Sequence, residues 1–417
     1  MLRCSLSCAP PAFKKTRPEE LKPYRDLDAN RVALSGNGSW DIAAHLDPDL
    51  LLPFLEPRAL QCFEPSSAPG PSFKHERESE VMGLFRKWDG LGLLHLVPGP
   101  LEETRLTRIF GAYKDPGRDR QIGDRRHMNN REARIADGPS RRLPAGPQLV
   151  RLTCPRWTHG LYGSIVDRKD FYHQAAVSLQ RASCNAVAPV FRLKDFLGTQ
   201  AYVDFLAAAD LACAEACRGT SSFLPSAVLV DTNPPVHGAF RSLLQGDHAG
   251  VEMACSGHEG LLRAAGILGD PPGGRLLNKC PVSVAGPWTG LIIDDLFCVS
   301  CEQLRPGGDG PPVAASERLL RQAKKAYAAE GVVGSDAKDQ FSQRVFCAAG
   351  AQIDASAPTV SAGLVLVGLP AHRRLALAHA SLTVAAERYI SEELASILAG
   401  SWMLREMISL AMKFISV

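Results

Sequence analysis

The chain has 417 residues, of which 45% are hydrophobic and 22% are charged. These proportions are ordinary for a folded globular protein, and they exclude a collagen, a coiled coil and a wholly disordered chain. The chain has 47 Lys and Arg and 44 Asp and Glu, so its net charge is only +3. Any surface that binds nucleic acid must therefore depend on a local concentration of positive charge.

The amino terminus and the cysteine content bear on the compartment. The opening segment MLRCSLSCAPPAFKK lacks the continuous apolar stretch of a secretory signal. No run of about 18 uncharged apolar residues occurs, so we expect no transmembrane helix and no membrane partner. The chain is long enough to bury a core without disulfides, so its 12 Cys are expected to be reduced thiols. The sequence therefore predicts an intracellular protein of the nucleus or cytoplasm.

The first third of the chain contains stretches of different composition. Residues 1–80 are rich in Pro and polar residues, which predicts a low-order N-terminal extension with a short helix near residues 50–60. Val81, Leu84 and Phe85 then fall on one helical face. Residues 105–142 hold 11 Lys and Arg against five Asp and Glu, which indicates either a phosphate-facing surface or a solvated loop.

The rest of the chain mixes short strands with helices. A β-branched run at 164–166 predicts a strand that ends at Asp167. Further strands are predicted at 225–230, as a hairpin at 291–293 and 296–300 with Asp294 and Asp295 at its tip, and as a pair within 341–353. Helices are predicted at 201–217, 250–265, 315–330 and most of 375–410. Because no strand–helix–strand rhythm appears, the pattern favours an α+β fold over a doubly wound sheet.

Two carboxylate positions are unusual for their surroundings. In GLIIDDLFCVS, residues 290–300, the adjacent Asp294 and Asp295 interrupt apolar strands, and Asp167 follows a strand in IVDRKDFYHQ. Burial of a carboxylate is unfavourable unless a cation or a hydrogen-bond donor offsets it. On adjacent strands, Asp167 and Asp294 would offer oxygen ligands suited to Mg²⁺. The alternatives are a polar turn, a helix cap, or pairing of each Asp with an Arg.

The basic stretch resembles the fingers of the reverse transcriptase family. That family has a pattern of the type F-x-x-x-K…R-x-x-x-D-x-R-x-x-N, and residues 110–129 of this chain read FGAYKDPGRDRQIGDRRHMN. Lys114 and Arg120 match the family's triphosphate-binding cations. The D-x-R-x-x-N positions are matched by Asp124, Arg126 and Asn129.

Three later motifs are similar to that family's palm and follow its order along the chain. DRKDFYHQ resembles D-x-x-D-A-F/Y, with Asp167 as metal ligand and Tyr172 at the aromatic position that excludes a ribose 2′-hydroxyl. LLQGDHAG resembles P-Q-G, with Leu in place of Pro, and IIDD resembles aromatic-x-D-D, with Ile292 in place of the aromatic residue. The nucleotide-binding or catalytic positions that these motifs and a later Lys motif imply are Gln245, Gly246, Asp294, Asp295 and Lys338.

The resemblance implies a right-hand polymerase with an antiparallel palm sheet, fingers and a partial helical thumb. The expected divisions are an extension at 1–80, fingers at 81–160, palm at 161–355 and the start of a thumb at 356–417. The implied activity is RNA-directed DNA synthesis with two Mg²⁺ ions, or Mn²⁺, held by Asp167 and Asp294. The implied partners are an RNA or DNA template with its primer and deoxynucleoside triphosphates.

Other functions fit parts of the same sequence. A decayed or domesticated retroelement fragment would bind nucleic acid without polymerising, a possibility that Ile292 and the altered second motif favour. A two-metal nuclease would need the carboxylates but not Tyr172, Lys114 or Arg120. An unrelated globular protein would have these Asp residues by chance.

Overall fold

The computed structural model describes residues 24–62, 76–219, 233–269, 274–305, 311–370, 372–375 and 378, without the side chains of 211–219. The α-helices in these ranges are α1 (Pro48–Leu55), α2 (Glu78–Gly90), α3 (Arg126–Asn129), α4 (Leu179–Ser183), α5 (Gln200–Gly219), α6 (Gly250–Ala264), α7 (Ala315–Ala329) and α8 (Ala357–Ser361). The 3-10 helices are Ile42–His45, Pro57–Leu60, Glu103–Arg105, Pro139–Arg142, Gly146–Arg151, Phe171–Gln174, Leu193–Phe196 and Asp336–Lys338.

The strands form several small antiparallel sheets. They are β1 (Tyr24–Arg25), β2 (Leu94–Pro98), β3 (Arg108–Asp115), β4 (Arg118–Asp124), β5 (His159–Asp167), β6 (Phe191–Arg192), β7 (Pro235–Phe240), β8 (Trp288–Ile292), β9 (Asp295–Gln303), β10 (Gln340–Gln343), β11 (Val345–Ala348), β12 (Ala351–Asp354) and β13 (Leu366–Gly368). Their orders are β1-β3-β4, β2-β7-β6, β10-β5-β9-β8 and β11-β12-β13. Helices and antiparallel sheets occur together, as expected for an α+β fold.

The sheet β10-β5-β9-β8 lies between two hydrophobic cores. Side chains of a strand alternate between faces, so Leu296 and Cys298 of β9 enter a core shared with α6 and α7. Phe297 and Val299 enter a second core that includes residues of β11 and β12. Because both faces are covered, β9 is apolar along most of its length, which explains the continuous LFCV run after the two Asp residues.

A third core supports the region that carries β1, β3 and β4. The predicted helical face is confirmed, since Val81, Leu84 and Phe85 of α2 are buried together with Trp88. The Trp88 indole N–H donates to Gln121 Oε1 of β4 at 2.8 Å. The apolar spacing of α2 therefore fixes the basic hairpin β3–β4 to the body of the protein.

Residues 24–62 differ from the expected low-order extension. Trp40 and Phe54 are 1% exposed, and Ile42 is fully buried in the core beneath α6. The Trp40 N–H donates to Gln174 O at 2.8 Å, and its carbonyl accepts from the Ala176 N–H at 2.7 Å. Composition suggested disorder because a few apolar anchors stand among polar and Pro residues, and these few are enough to fix the segment.

Most other expected elements appear with shifted ends. The helices predicted at 201–217, 250–265 and 315–330 correspond to α5, α6 and α7. The region 341–353 contains parts of three strands rather than two, because Arg344 interrupts the extended structure between β10 and β11. The strand predicted at 225–230 lies outside the described residues, as does nearly all of the helical stretch at 375–410. No helix in the described ranges combines the length and apolar character needed to cross a membrane.

Truncation of Trp40 tests whether the N-terminal segment belongs to the fold. Trp40→Ala should reduce the free energy of unfolding by about 3–5 kcal/mol, because it removes a large buried side chain and leaves a cavity. Denaturant titration followed by circular dichroism measures the change. Leu52→Ala, at a side chain that is 64% exposed, is the matched control and should change it by less than about 0.5 kcal/mol. Equal effects of the two substitutions would contradict this account of the segment.

Candidate active site

Three carboxylates meet at one end of the central sheet. Asp167 is the last residue of β5 and lies opposite Asp295, the first residue of β9. Ile292 of β8 also pairs with Asp295, so Ile293 and Asp294 form the two-residue turn between the strands. The predicted neighbourhood of Asp167 and Asp294 is thus present, but the tip of the hairpin is Ile293–Asp294 rather than Asp294–Asp295. The early start of β9 explains the difference.

The charges of this group alter the protonation of Asp294 and Asp295. Burial, with the charges of Asp294 and Asp167 and a hydrogen bond to Asp167, raises the pKa of Asp295 to about 7. Burial also raises the pKa of Asp294, and the charge of Asp167 adds to the increase. Like charges held close together in a half-buried site favour retention of a proton. At the sheet end, Asp294 and Asp295 therefore retain protons more readily than isolated carboxylates do.

A lysine already neutralises part of this charge. Lys338 Nζ donates to Asp167 Oδ2 at 3.0 Å, although the Lys338 side chain is 69% exposed. No group of three or more His, Cys, Asp and Glu side chains in the described part of the chain is arranged so that it could hold a metal ion. The oxygen donors and the ammonium bound to Asp167 suit a site for cations, and a divalent ion would have to draw the carboxylates together.

The basic hairpin β3–β4 supplies the two predicted phosphate-binding cations. Arg120 on β4 is exposed, and its charge acts on Asp294 by lowering the pKa that burial raises. Lys114 on β3 instead forms an ion pair with Asp170, with 3.2 Å between Nζ and Oδ1. Asp170 also accepts a short hydrogen bond from the Ser35 hydroxyl. The charge of Arg120 therefore reaches the acidic group, whereas Lys114 is bound by the second Asp of the D-x-x-D motif.

The D-x-R-x-x-N residues contact one another and the Q-G motif. The Arg126 guanidinium pairs with the Asp124 carboxylate, with 2.6 Å between Nη2 and Oδ2. Asn129 Nδ2 donates to Gly246 O at 2.9 Å. These contacts close the turn after β4 and join it to the Q-G motif.

The Q-G motif lies directly against the end of β4. The Gly123 N–H donates to Gln245 O at 2.7 Å. Gly246 has φ 120°, and a Cβ at this position would lie 1.8 Å from Gly123 O. A left-handed backbone and this close approach both require glycine. The Gly at this position therefore has a structural reason, and the Gln245 side chain is half-buried.

Tyr172 lies near the acidic group on the 3-10 helix that follows β5. Its side chain is half-buried, and burial raises its pKa, with Asp294 among the neighbouring charges that add to the increase. Its ring would contact a Cβ placed at Gly250, at the start of α6. The D-x-x-D-F-Y motif thus places Tyr172 between α6 and the sheet end.

Sequence reasoning missed a buried ion network beside the Q-G motif. Asp247 forms an ion pair with Arg125, with 2.7 Å between Oδ1 and Nη1, and accepts a hydrogen bond from Arg181 Nη1 at 3.0 Å; all three side chains are at most 3% exposed. The two guanidinium groups hold the pKa of Asp247 below its usual range despite its burial. Asp247 directly follows the Q-G motif, and no local pattern in the sequence indicates its two Arg partners.

A basic cleft of about 600 Å³ adjoins the junction of the hairpin with the Q-G motif. Arg25, Arg108 and Arg126 line it together with the carboxylates of Asp26 and Asp124 and with Asn129 and Gly246. Arg108 is paired with Glu76, and Arg126 with Asp124. Arg residues can bind phosphate oxygens bidentately. The local excess of positive charge predicted from 105–142 is therefore partly gathered into one concave surface.

Comparisons with known proteins give structural likeness alone. No family model and no curated protein matches the chain. A structure of the foamy viral protease-reverse transcriptase with double-stranded DNA is 12% identical over 87% of this chain, with a TM-score of 0.45. The structure of that protein with an RNA/DNA hybrid is 11% identical over 83% of this chain, also with a TM-score of 0.45. This chain spans 47% and 39% of the length of those two chains, so the function proposed below rests on its own residues.

The pKa of Asp295 leads to a pH-dependent stability. In the folded metal-free protein the pKa is raised from 3.8 to about 7, so the protonated carboxyl favours folding below pH 3.8 and this contribution is lost as the pH rises through about 7. Asp295→Asn removes the ionisation. Its melting temperature relative to the wild type should be higher at about pH 8 than at about pH 5, by about a degree or more.

Thermal unfolding in the presence of a chelator measures this difference. Asp137→Asn, at a side chain that is 99% exposed, is the control and should show the same difference at both pH values. A pH-independent effect of Asp295→Asn would contradict the mutual influence of the three carboxylates.

Proposed function

We propose that the protein is a template-directed nucleotidyltransferase that adds deoxynucleoside monophosphates to a primer 3′-hydroxyl, on an RNA or DNA template. The main support is the meeting of Asp167, Asp294 and Asp295 at one sheet end, within electrostatic reach of Arg120. These residues come from separate segments of the sequence, and their motifs occur in the order found in reverse transcriptases. A right-hand polymerase arrangement, with fingers at 81–160, palm at 161–355 and a thumb from 356, belongs to the same proposal.

The carboxylates are the proposed ligands for divalent cations. Asp167 and Asp294 would hold two Mg²⁺ ions, or Mn²⁺, with Asp295 beside them. When bound, such ions supply positive charge to the attacking 3′-hydroxyl and to the leaving pyrophosphate. Binding requires Asp295 and its neighbours to be ionised, so occupancy should increase as the pH rises through about 7.

The chain's own cations would position the triphosphate. Arg120 is exposed beside Asp294 and can bind phosphate oxygens bidentately. Lys114 would exchange its contact with Asp170 for a phosphate oxygen. Lys338, now on Asp167, would be displaced by the metal and then lie near the pyrophosphate. This electrostatic role of fixed cations is usual in phosphoryl transfer, where positioning supplies most of the catalysis.

Two further positions would select the nucleotide. Tyr172 lies between α6 and the acidic group, where an aromatic ring would exclude a ribose 2′-hydroxyl. Gln245 and Gly246 would contact the incoming nucleotide at the junction with the hairpin. The template and primer would be held through their phosphates in the basic cleft, so the affinity should fall steeply with salt concentration.

A second candidate is a protein that binds nucleic acid without polymerising. It is favoured by the ion pairs of Lys338 with Asp167 and of Lys114 with Asp170, which occupy two groups that polymerisation would use. Ile292 in place of an aromatic residue favours it as well. The basic cleft serves either function.

Nucleotide incorporation separates the two candidates. The full chain should extend a labelled primer on an RNA template when dNTPs and Mg²⁺ or Mn²⁺ are supplied. Asp294→Asn/Asp295→Asn should reduce the rate by about 10³-fold, because it removes several kcal/mol of charge stabilisation. Its affinity for the primer–template, measured by fluorescence anisotropy, should change only slightly.

The matched control is Asp137→Asn/Asp204→Asn, which alters two exposed carboxylates away from the sheet end and should leave the rate unchanged. Salt-dependent binding by the wild type with no incorporation would favour the second candidate. Equal incorporation by the wild type and Asp294→Asn/Asp295→Asn would reject the assigned site.

A further inference from the structure

The turn that presents Asp294 has an unfavourable backbone. Ile293 has φ 52°, and it is the first residue of a two-residue turn between β8 and β9. A β-branched residue rarely adopts a positive φ, and such turns strongly prefer Gly or Asn at this position. A conformation of this kind persists only when the surrounding structure holds it.

Helix α6 holds the Ile293 backbone through a hydrogen bond from a side chain. The Ile293 carbonyl accepts from Nδ1 of His258 at 2.7 Å. The Ile293 backbone also acts on the thiol of Cys255, one helical turn before His258, by lowering the pKa that burial raises. Side chains three apart share one face of a helix, so α6 contacts the turn at two adjacent points. The carbonyl of the turn residue is thus fixed by a side chain of α6.

The His258 ring is itself oriented by a second helix. His258 is fully buried, and its Nε2 accepts from the Tyr327 hydroxyl of α7 at 2.6 Å. Because Nδ1 faces a carbonyl and must donate, this hydroxyl fixes the neutral tautomer. The ring also packs on Phe171 of the D-x-x-D-F-Y motif, with 4.8 Å between ring centroids.

Tyr327 connects the same ring to the strand that carries Asp167. The Arg168 guanidinium lies 4.1 Å from the centroid of the Tyr327 ring. Arg168 directly follows Asp167, and its N–H donates to Asp294 O at 3.0 Å. The chain of contacts Ile293–His258–Tyr327–Arg168 therefore runs beneath the acidic group and joins its two sides.

We propose that His258, oriented by Tyr327, is a positioning residue that holds the Ile293–Asp294 turn and so sets the placement of the carboxylates for cations and for the proposed reaction. His258 touches neither the proposed metal nor the substrate. The part of this inference that concerns the reaction rests on the proposed function, whereas the part that concerns the turn does not.

Two substitutions at His258 separate its two hydrogen bonds. His258→Asn keeps an amide N–H near the position of Nδ1, because both branch from Cγ, so it can still donate to Ile293 O. His258→Gln places its amide one carbon further, near the position of Nε2, so it retains contact with Tyr327 and loses the turn. Both remove the ring from Phe171, so both lower thermal stability, and the difference between them isolates the bond to Ile293.

Hydrogen exchange followed by mass spectrometry tests the turn without metal or nucleotide. Peptides covering 288–303 should exchange faster in His258→Gln than in His258→Asn, at equal distance from each melting temperature. Equal exchange in the two variants would overturn the inference, because a residue that only fills the core does not distinguish them. This result holds whether or not the protein is a polymerase.

Metal binding and kinetics then test the consequence. Mn²⁺ binding is measured by electron paramagnetic resonance of the free ion, and only the binding that Asp294→Asn abolishes is counted. The affinity of this site for Mn²⁺ should fall by about 10–100-fold in His258→Gln and much less in His258→Asn. Primer extension by His258→Gln should lose kcat with little change in the KM for dNTP. Equal Mn²⁺ affinities in both variants would overturn the role in positioning the carboxylates. A wild type without Mn²⁺ binding or extension would instead refute the proposed function, while hydrogen exchange still decides the inference about the turn.

Discussion

The candidate site depends on strand pairing that holds three carboxylates close together. Pairing of β5 with β9 sets Asp167 opposite Asp295, and the turn adds Asp294. Carboxylates in a half-buried position repel one another unless protons or cations compensate. In the metal-free protein the raised pKa of Asp295 favours retention of its proton, and the Lys338 ammonium forms an ion pair with Asp167. The same repulsion explains why a cation, the Lys338 ammonium, pairs with the group.

The close packing of two glycines fixes the site relative to the basic hairpin. The backbones at Gly123 and Gly246 lie so close together that neither segment can move away without loss of the hydrogen bond between Gly123 and Gln245. Asp247 secures the junction through Arg125 and Arg181. Removal of one partner from a buried ion pair leaves an uncompensated charge, which is strongly destabilising. Arg120 and the acidic group are therefore held within one packed body.

Sequence reasoning was most successful where one local pattern determines the structure. The apolar face of α2, the helices α5, α6 and α7, and the neighbourhood of Asp167 and Asp294 follow from periodicity and from carboxylates beside apolar strands. It placed the hairpin tip one residue late, because Ile293 adopts a conformation that Ile rarely takes and only contacts from α6 explain it. Sequence reasoning missed the folded structure of residues 24–62 and the ion network of Asp247, because both depend on partners that are distant in the sequence. The pairing of Lys114 with Asp170 was hidden for the same reason.

The central sheet also protects the geometry of its acidic end against error. Residues of β9 alternate between two different cores, with Leu296 and Cys298 on one side and Phe297 and Val299 on the other. A shift of β9 by a single residue against β5 would exchange these sets, so that the bulky Phe297 would face the helices. Misalignment of Asp295 with Asp167 would thus require the interior on both sides to repack. The interleaving of β9 side chains with both cores thus guards the register in which Asp167 and Asp295 meet.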